Sequence, residues 1–239
     1  QTLPKLEPYA AFDKQRFEQP KATFRHAATS LEKTYSGGSS VSLLDVGCAN
    51  GELLYYLRSL FPKMELSGVD NTPEYIDVAR TVPELKGISL DVGDLFDLHG
   101  TYDIVTMIGV FNVFPELEPP LDALLGACKP GGTVLVDGFF NAFDIDVRVS
   151  FCDNSKEESR GLWRSDFHQH AQKSVSRYLA EKSVEYWFEE IKMDVDLPRR
   201  KDAPHVDSFT FKDQHGNRII TNGLNLIANR TMLIIKKQQ

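Results

Sequence analysis

The sequence predicts an α/β fold: a doubly wound, mostly parallel sheet ending in an antiparallel strand, with an N-terminal helical arm and a helical insertion after the fifth strand. Three observations predict it. Short apolar runs alternate with segments of helical periodicity between residues 41 and 137, the rhythm of βαβ units. Those runs end on acidic residues or glycine, at Asp45, Asp70, Asp94 and Gly109, on the edge where such sheets take their ligands. Near the C-terminus Phe209 and Phe211 flank Thr210, His215-Gly216-Asn217 reads as a hairpin turn, and residues 232–235 are apolar. Hairpin-linked strands there make the sheet finish antiparallel.

Taken in order, residues 1–20 hold Pro4, Pro8 and Pro20 and read as an irregular arm. Residues 21–35 place Phe24, Ala27, Ala28 and Leu31 on one helical face, ended by Gly37-Gly38. Val41, Leu43, Leu44 and Val46 make the first strand, and Leu53, Leu54, Leu57, Leu60 and Phe61 recur at helical spacing after it. Gly47 and Gly51 sit in the turn between the two, where a missing Cβ lets the backbone bend and lets a ligand approach main-chain N–H groups.

A second strand ends at Asp70, with Thr72 expected to cap the helix that Pro73 opens. A third spans residues 87–92 and a fourth 102–108. A helix over 117–128 leads to Lys129-Pro130-Gly131-Gly132, read as a turn, and then to the fifth strand at 133–137. Beyond it, residues 141–165 lack a period, whereas 166–182 look helical, with Ala171, Val175, Tyr178 and Leu179 as the apolar face. One domain is expected, divided into an arm and helix (1–36), a ligand-binding core (37–140), an insertion or lid (141–182) and closing strands (183–239).

Composition narrows the function classes. A net charge of −7 speaks against broad binding to nucleic acid, which needs clustered cations. The sequence has no apolar run long enough for a membrane-spanning helix. Cys48, Cys128 and Cys152 form neither a disulfide framework nor a metal-ligand spacing, so no metal is expected and a reducing, cytoplasmic setting is. The chain opens at Gln1 with no charged-then-apolar leader, so a secreted precursor is not expected.

Asp45-Val46-Gly47-Cys48-Ala49-Asn50-Gly51 resembles the first motif of the class I S-adenosylmethionine-dependent methyltransferases, an acidic residue, a glycine, and a second glycine four positions on. Further pieces follow in order across about residues 40–140: Asp70, Gly93-Asp94-Leu95, Tyr102-Asp103-Ile104-Val105 and Lys129-Pro130-Gly131-Gly132. The resemblance implies a Rossmann-like core and S-adenosylmethionine as cofactor, with S-adenosylhomocysteine as product. It assigns the cofactor side to Asp45, Gly47, Cys48, Asn50, Gly51, Asp70, Asn71, Asp94, Leu95, Ile108 and Gly109. Asp70 is expected to accept from the vicinal ribose hydroxyls, Asp94 from the adenine amino group, and Asp45 to orient the turn or meet the ligand's ammonium. The spacing departs from the G-x-G-x-x-G of nicotinamide dehydrogenases, since position 49 is Ala49.

The expected reaction is in-line methyl transfer to an O or N atom of a small molecule, such as a sugar or natural-product intermediate, with a base needed only where the acceptor must lose a proton. His168 and His170, at the head of the helix expected over 166–182, and Asn112, after the fourth strand, are the catalytic candidates. An exposed helix-start position is the bland alternative for each histidine, and a loop turn for Asn112. The aromatics Phe139, Phe140, Phe143, Phe151, Trp163 and Phe167 could wall a pocket or simply pack, and Arg148, Arg160 and Arg164 could meet an anion. A non-catalytic cofactor-binding partner or regulator is the alternative from another class, and a protein or nucleic-acid methyltransferase the third.

Overall fold

A computed structural model describes residues 17–35, 40–155, 157–199 and 206–239. The expected arm up to residue 16 and the Gly37-Gly38 helix stop lie outside the described residues.

The elements are helix α1 (Ala22–Thr34), strand β1 (Ser42–Val46), helix α2 (Glu52–Leu60), strand β2 (Glu65–Asp70), helix α3 (Pro73–Thr81), strands β3 (Ser89–Val92) and β4 (Tyr102–Met107), helix α4 (Glu118–Ala127) and strand β5 (Cys128–Gly138). Then come β6 (Phe140–Asn141), β7 (Ser150–Cys152), β8 (Trp163–Ser165), β9 (His170–Ala171), helix α5 (Gln172–Leu179), and strands β10 (Val184–Glu190), β11 (Phe209–Lys212), β12 (Arg218–Thr221) and β13 (Thr231–Lys237).

Seven strands form the main sheet in the order β10-β13-β5-β4-β1-β2-β3. Neighbours from β3 to β5 pair parallel, while β13 is antiparallel to both β5 and β10. The antiparallel closing strand is therefore an insertion between β5 and β10 rather than an edge. Strand order reverses at β1, which has β2 on one side and β4 on the other, and the crevice above that point is where doubly wound sheets bind ligands.

Both faces of the sheet are covered, so its central strands read as continuous apolar runs whose side chains alternate between two cores. Leu43, Leu66, Ile104, Leu135 and Ile234 face one core together with Ala27 and Leu31 of α1, Leu54 and Leu57 of α2 and Ile76 of α3. Their neighbours Leu44, Val105, Val136, Leu233 and Ile235 face the other, with Leu121 and Leu124 of α4 and Val175 and Leu179 of α5.

Three expectations need correction. Lys129-Pro130-Gly131-Gly132 belongs to β5, as an irregular start at which the β4 ladder shifts register between Tyr102 and Ile104. Lys129 Nζ holds it there, 2.9 Å from Asp103 Oδ2. The helix expected over 166–182 begins only at Gln172. Upstream backbone is committed elsewhere: Phe167 N–H donates to Asp166 Oδ1, Gln169 and Val147 exchange hydrogen bonds, and β9 pairs with β6. The hairpin at Gly216-Asn217 exists, but β11 and β12 form a separate two-stranded sheet and do not close the main one.

Candidate functional site

The carboxyl ends of β1, β2 and β4 open into a cavity of about 1160 Å³. Asp45, Gly47, Cys48, Ala49, Asp70, Ile108 and Gly109 line its sheet end. Asn112, Phe139, Asp166, Phe167 and Arg230 line the far wall, Lys21 with Thr23 and Phe24 of α1 closes one flank, and residues 197–199 and 206–209 close another.

The β1–α2 turn is left-handed at three residues, Gly47 (φ 76°), Ala49 (φ 46°) and Gly51 (φ 82°). A Cβ on Gly47 would stand 2.4 Å from Val110 Cγ2, and one on Gly51 2.5 Å from Leu85 Cδ1. The glycines thus serve the backbone path and the packing beneath it. The N–H groups of Gly47 and Cys48 both donate to Val69 O, and that of Gly51 to Cys48 O. The expectation of bare amides facing a ligand is corrected at these positions: the amides turn inward, and carboxylates face the cavity instead.

Asp70 organises that end. Its Oδ2 accepts from Ala49 N–H at 2.9 Å and its Oδ1 from Thr72 N–H at 2.9 Å, so one carboxylate pins the glycine turn and the start of α3. Thr72, expected to cap α3, makes no side-chain cap bond. Each Asp70 oxygen retains acceptor capacity for a ligand. Asp45 is buried beneath the turn and accepts from Thr106 Oγ1 at 2.7 Å. Burial lifts its carboxyl to about 7 against the hydroxyl's pull, with the charge of Asp70 adding to the rise. Cys48 is buried too, and burial pushes its thiol upward, the opposite of an activated nucleophile.

Other expected cofactor residues stand off the cavity wall. Asp94 is exposed and its Oδ1 accepts from Phe96 N–H at 2.9 Å, capping a short turn, while Leu95 is buried in the core. Asn71 is exposed, and Asn50 and Gly51 are buried behind the turn.

Nor do the catalytic candidates converge. His168 is buried; its Nδ1 accepts from Val149 N–H at 3.1 Å and its Nε2 stands 3.2 Å from Ser165 Oγ. His170 is buried with Nε2 3.0 Å from Phe114 O. Burial lowers the pKa of both. Neither lines the cavity, so the helix-start reading and the general-base reading both give way to two satisfied imidazoles. Asn112 does line it, but as a brace: Nδ2 donates to His168 O and Oδ1 accepts from Phe139 N–H at 3.2 Å.

Asp137, fully buried near the end of β5, accepts from Gly109 N–H and from Arg230 Nη1, the latter at 2.7 Å. Sequence reasoning missed several residues that line the cavity, Arg230, Arg199 and Glu52 among them. The Arg230 guanidinium lies 4.8 Å from the Phe139 ring centroid, and that of Arg199 5.6 Å from Phe209. Glu52 is buried in the first turn of α2 and pairs with Lys21 Nζ at 2.8 Å. Arg199 and Arg230 come from far outside the motif region, and nothing local marks them. Of the expected aromatics, Phe139 and Phe167 reach the wall with rings stacked at 6.3 Å, and Phe151 packs edge-on to Phe167. Phe140 packs in the core, and Phe143 and Trp163 are exposed. Arg148 instead pairs with Glu116. Among the described residues no cluster of potential metal ligands occurs, and no helix is long and apolar enough to cross a membrane.

A family model described as "Methyltransferase domain" matches residues 38–190. The malonyl-[acyl-carrier protein] O-methyltransferase of Bacillus anthracis is 27% identical over 132 residues, 54% of this chain and 49% of the relative. The demethylmenaquinone methyltransferase of Thermus thermophilus is 30% identical over 118 residues, 46% of this chain and 54% of the relative. The chain spans about half the length of these curated relatives. Among solved structures, a chain of the complex between the Haloferax volcanii Trm112 methyltransferase activator and the putative methyltransferase superposes with a TM-score of 0.60 at 18% identity, covering 91% of this chain and 90% of that one. Magnesium protoporphyrin IX methyltransferase from Synechocystis PCC 6803 with bound SAH gives 0.56 at 12% identity, covering 90% and 82%. At such identities the likeness shows a common fold.

Proposed function

The chain belongs to the methyltransferase-domain family, with the class I S-adenosylmethionine-dependent fold, and on that premise we propose that it methylates an O or N atom of a small molecule held in the cavity above β1 and β4. One observation carries the reading: the strand-end carboxylates and an aromatic wall share a single space of about 1160 Å³, larger than the roughly 300–1,000 Å³ that one drug-sized ligand usually occupies. Donor and acceptor fit in it together.

The residues present suit the donor. A sulfonium and an ammonium are cationic, and Asp70 places a carboxylate at the sheet end of the cavity, beside the carboxyl of Asp45. Asp70 has the acceptor capacity that a pair of ribose hydroxyls requires. When bound, S-adenosylmethionine supplies a methyl carbon already activated by the positive sulfur. What the chain adds is alignment and exclusion of water. Asp137 and Asn112 fix the Gly109 and Phe139 backbones, and the α1 flank and residues 197–199 cover the site. A deep cavity favours a small acceptor over a flat macromolecular surface, and the net charge of −7 weighs against nucleic acid. Relatives named for malonyl-[acyl-carrier protein] and demethylmenaquinone support small-molecule chemistry in kind. Three free thiols accord with a cytoplasmic setting.

The test has two arms. Calorimetry should show saturable S-adenosylhomocysteine binding that weakens at least tenfold in Asp70→Ala; unchanged affinity would remove Asp70 from the site. Incubation with methyl-labelled S-adenosylmethionine and a fractionated metabolite extract should give a labelled product of low mass; label found only in protein or nucleic acid refutes the small-molecule reading.

A further inference from the structure

Asp166 occupies a place that the two histidines were expected to fill. It lies just beyond β8, on the wall opposite the strand ends, next to Phe167 and across from Phe139. Its Oδ1 accepts from Phe167 N–H at 2.6 Å, and among the described residues its Oδ2 has no hydrogen-bond partner. Phe167 itself sits at φ 62°. An aromatic residue in the left-handed region is strained, and such strain persists where surrounding structure imposes it, commonly at functional sites. Here it seats a carboxylate and a ring side by side on one wall. His168 follows directly, but its ring is turned to Val149 and Ser165.

We propose that Asp166 is the general base of the reaction and that the acceptor is a neutral hydroxyl on an aromatic ring, its ring against Phe139 and Phe167 and its O–H directed at Asp166 Oδ2. The inference rests on the methyltransferase reading and deepens it. Asp166 Oδ2 takes the hydroxyl proton; the electron pair released on the acceptor oxygen forms the bond to the methyl carbon, and the carbon–sulfur pair leaves with the sulfur as a neutral thioether. The carboxylic acid then returns its proton to water. A carboxylate acceptor needs no base, so a carboxylate poised on this wall fits a hydroxyl acceptor. Burial raises the Asp166 carboxyl above the usual aspartate range despite the opposing Phe167 N–H and Arg164 charge, a change that strengthens it as a base near neutrality. The other charged groups on the acceptor side of the wall are Arg199, Asp207 and Arg230.

The experiment uses the full chain, labelled S-adenosylmethionine, and a series of phenols graded in acidity: phenol, 4-cyanophenol and 4-nitrophenol. Asn at 166 keeps an oxygen for Phe167 N–H, so Asp166→Asn is expected to fold and to bind S-adenosylhomocysteine within about twofold of wild type. Transfer to phenol, nearly all un-ionised at neutral pH, should fall at least about 100-fold in this variant, the scale of a positioned base. Transfer to 4-nitrophenol, largely ionised by itself near neutrality, should fall only a few-fold. A merely structural role predicts equal losses along the series, and that result overturns the assignment. The wild-type rate with phenol should also rise with pH along an acidic limb that vanishes in Asp166→Asn; a limb that survives there and vanishes in His168→Gln overturns it as well. If wild type binds S-adenosylhomocysteine but methylates no phenol, the hydroxyl acceptor is wrong. If it fails to bind S-adenosylhomocysteine, the methyltransferase reading itself fails.

Discussion

Truncating Asp137 to Ala should cost the fold more than any exposed ion pair would. The carboxylate is fully buried, accepts from Gly109 N–H, and holds Arg230 Nη1 at 2.7 Å, while the Arg230 side chain is 25% exposed. Removing one partner of a buried pair costs about 3–5 kcal/mol, because the other charge stays behind without compensation. Arg230 can turn partly to solvent, so the lower end of that range applies, about 3 kcal/mol. In a chain of this size that lowers the midpoint of thermal unfolding by roughly 6–12 °C. Circular dichroism melts and urea titrations measure it. A double-mutant cycle with Arg230→Ala separates the pair from the rest: coupling of at least about 1 kcal/mol is expected for groups in one network. Because Gly109 lines the cavity, Asp137→Ala should also weaken S-adenosylhomocysteine binding. A loss under 1 kcal/mol that adds linearly with Arg230→Ala would show that the buried carboxylate does not hold the β4 loop.

Two further predictions follow from the glycine turn. Gly47→Ala places a side chain at φ 76° with its Cβ 2.4 Å from Val110 Cγ2; a loss of about 2–4 kcal/mol in urea unfolding is expected, combining left-handed strain and the clash. Adding Val110→Ala should recover the clash but not the strain, and complete recovery would mean that the backbone angle is free to relax. Asp45 should make stability depend on pH in an unusual direction. Its folded-state pKa is about 7 against an ordinary 3.8, so across that window the native protein keeps a proton that the unfolded chain releases. Its contribution is therefore complete below about pH 4 and is lost as pH rises through about 7. Asp45→Asn should flatten that part of the stability profile, and an unchanged slope would show that the carboxylate is already ionised in the native protein.

The sheet was legible because its physics is local. Leu43 and Leu44, Ile104 and Val105, and Ile234 and Ile235 send successive side chains into opposite cores, which forces the continuous apolar runs that mark strands buried on both faces. Helices α2 and α3 begin where Gly51 and Pro73 say they should. The sheet end of the cavity was readable for the same reason, since Asp45, Gly47 and Asp70 lie on those strands or on the turn between them. At Asp70 anchoring two backbone amides and bordering the cavity coexist.

The acceptor side was illegible because nothing there is periodic. Residues 166–182 have the apolar spacing of a helix, yet the four positions 168–171 spend their backbone or side-chain groups on Asn112, Phe114, Val147 and the β6 strand. Those partners lie 20 to 60 positions away, beyond the reach of any window that detects a 3.6-residue period. The same non-locality decides which titratable groups face the cavity. Two histidines within four positions of Asp166 are drawn off by Val149, Ser165 and Phe114, and the Asp166 carboxylate is left on the wall. Arg199 and Arg230 arrive from segments with no motif at all, the latter from the position just before the inserted strand β13. On the proposed reading, donor chemistry is written in the strand ends, where spacing is fixed by the sheet, and acceptor chemistry in long-range pairings outside them. That reading predicts that substitutions at Asp166, Phe167 or Arg199 change which acceptor is methylated while S-adenosylhomocysteine affinity, set by Asp70 and the glycine turn, stays within a few-fold of wild type; a parallel loss of both would refute the division.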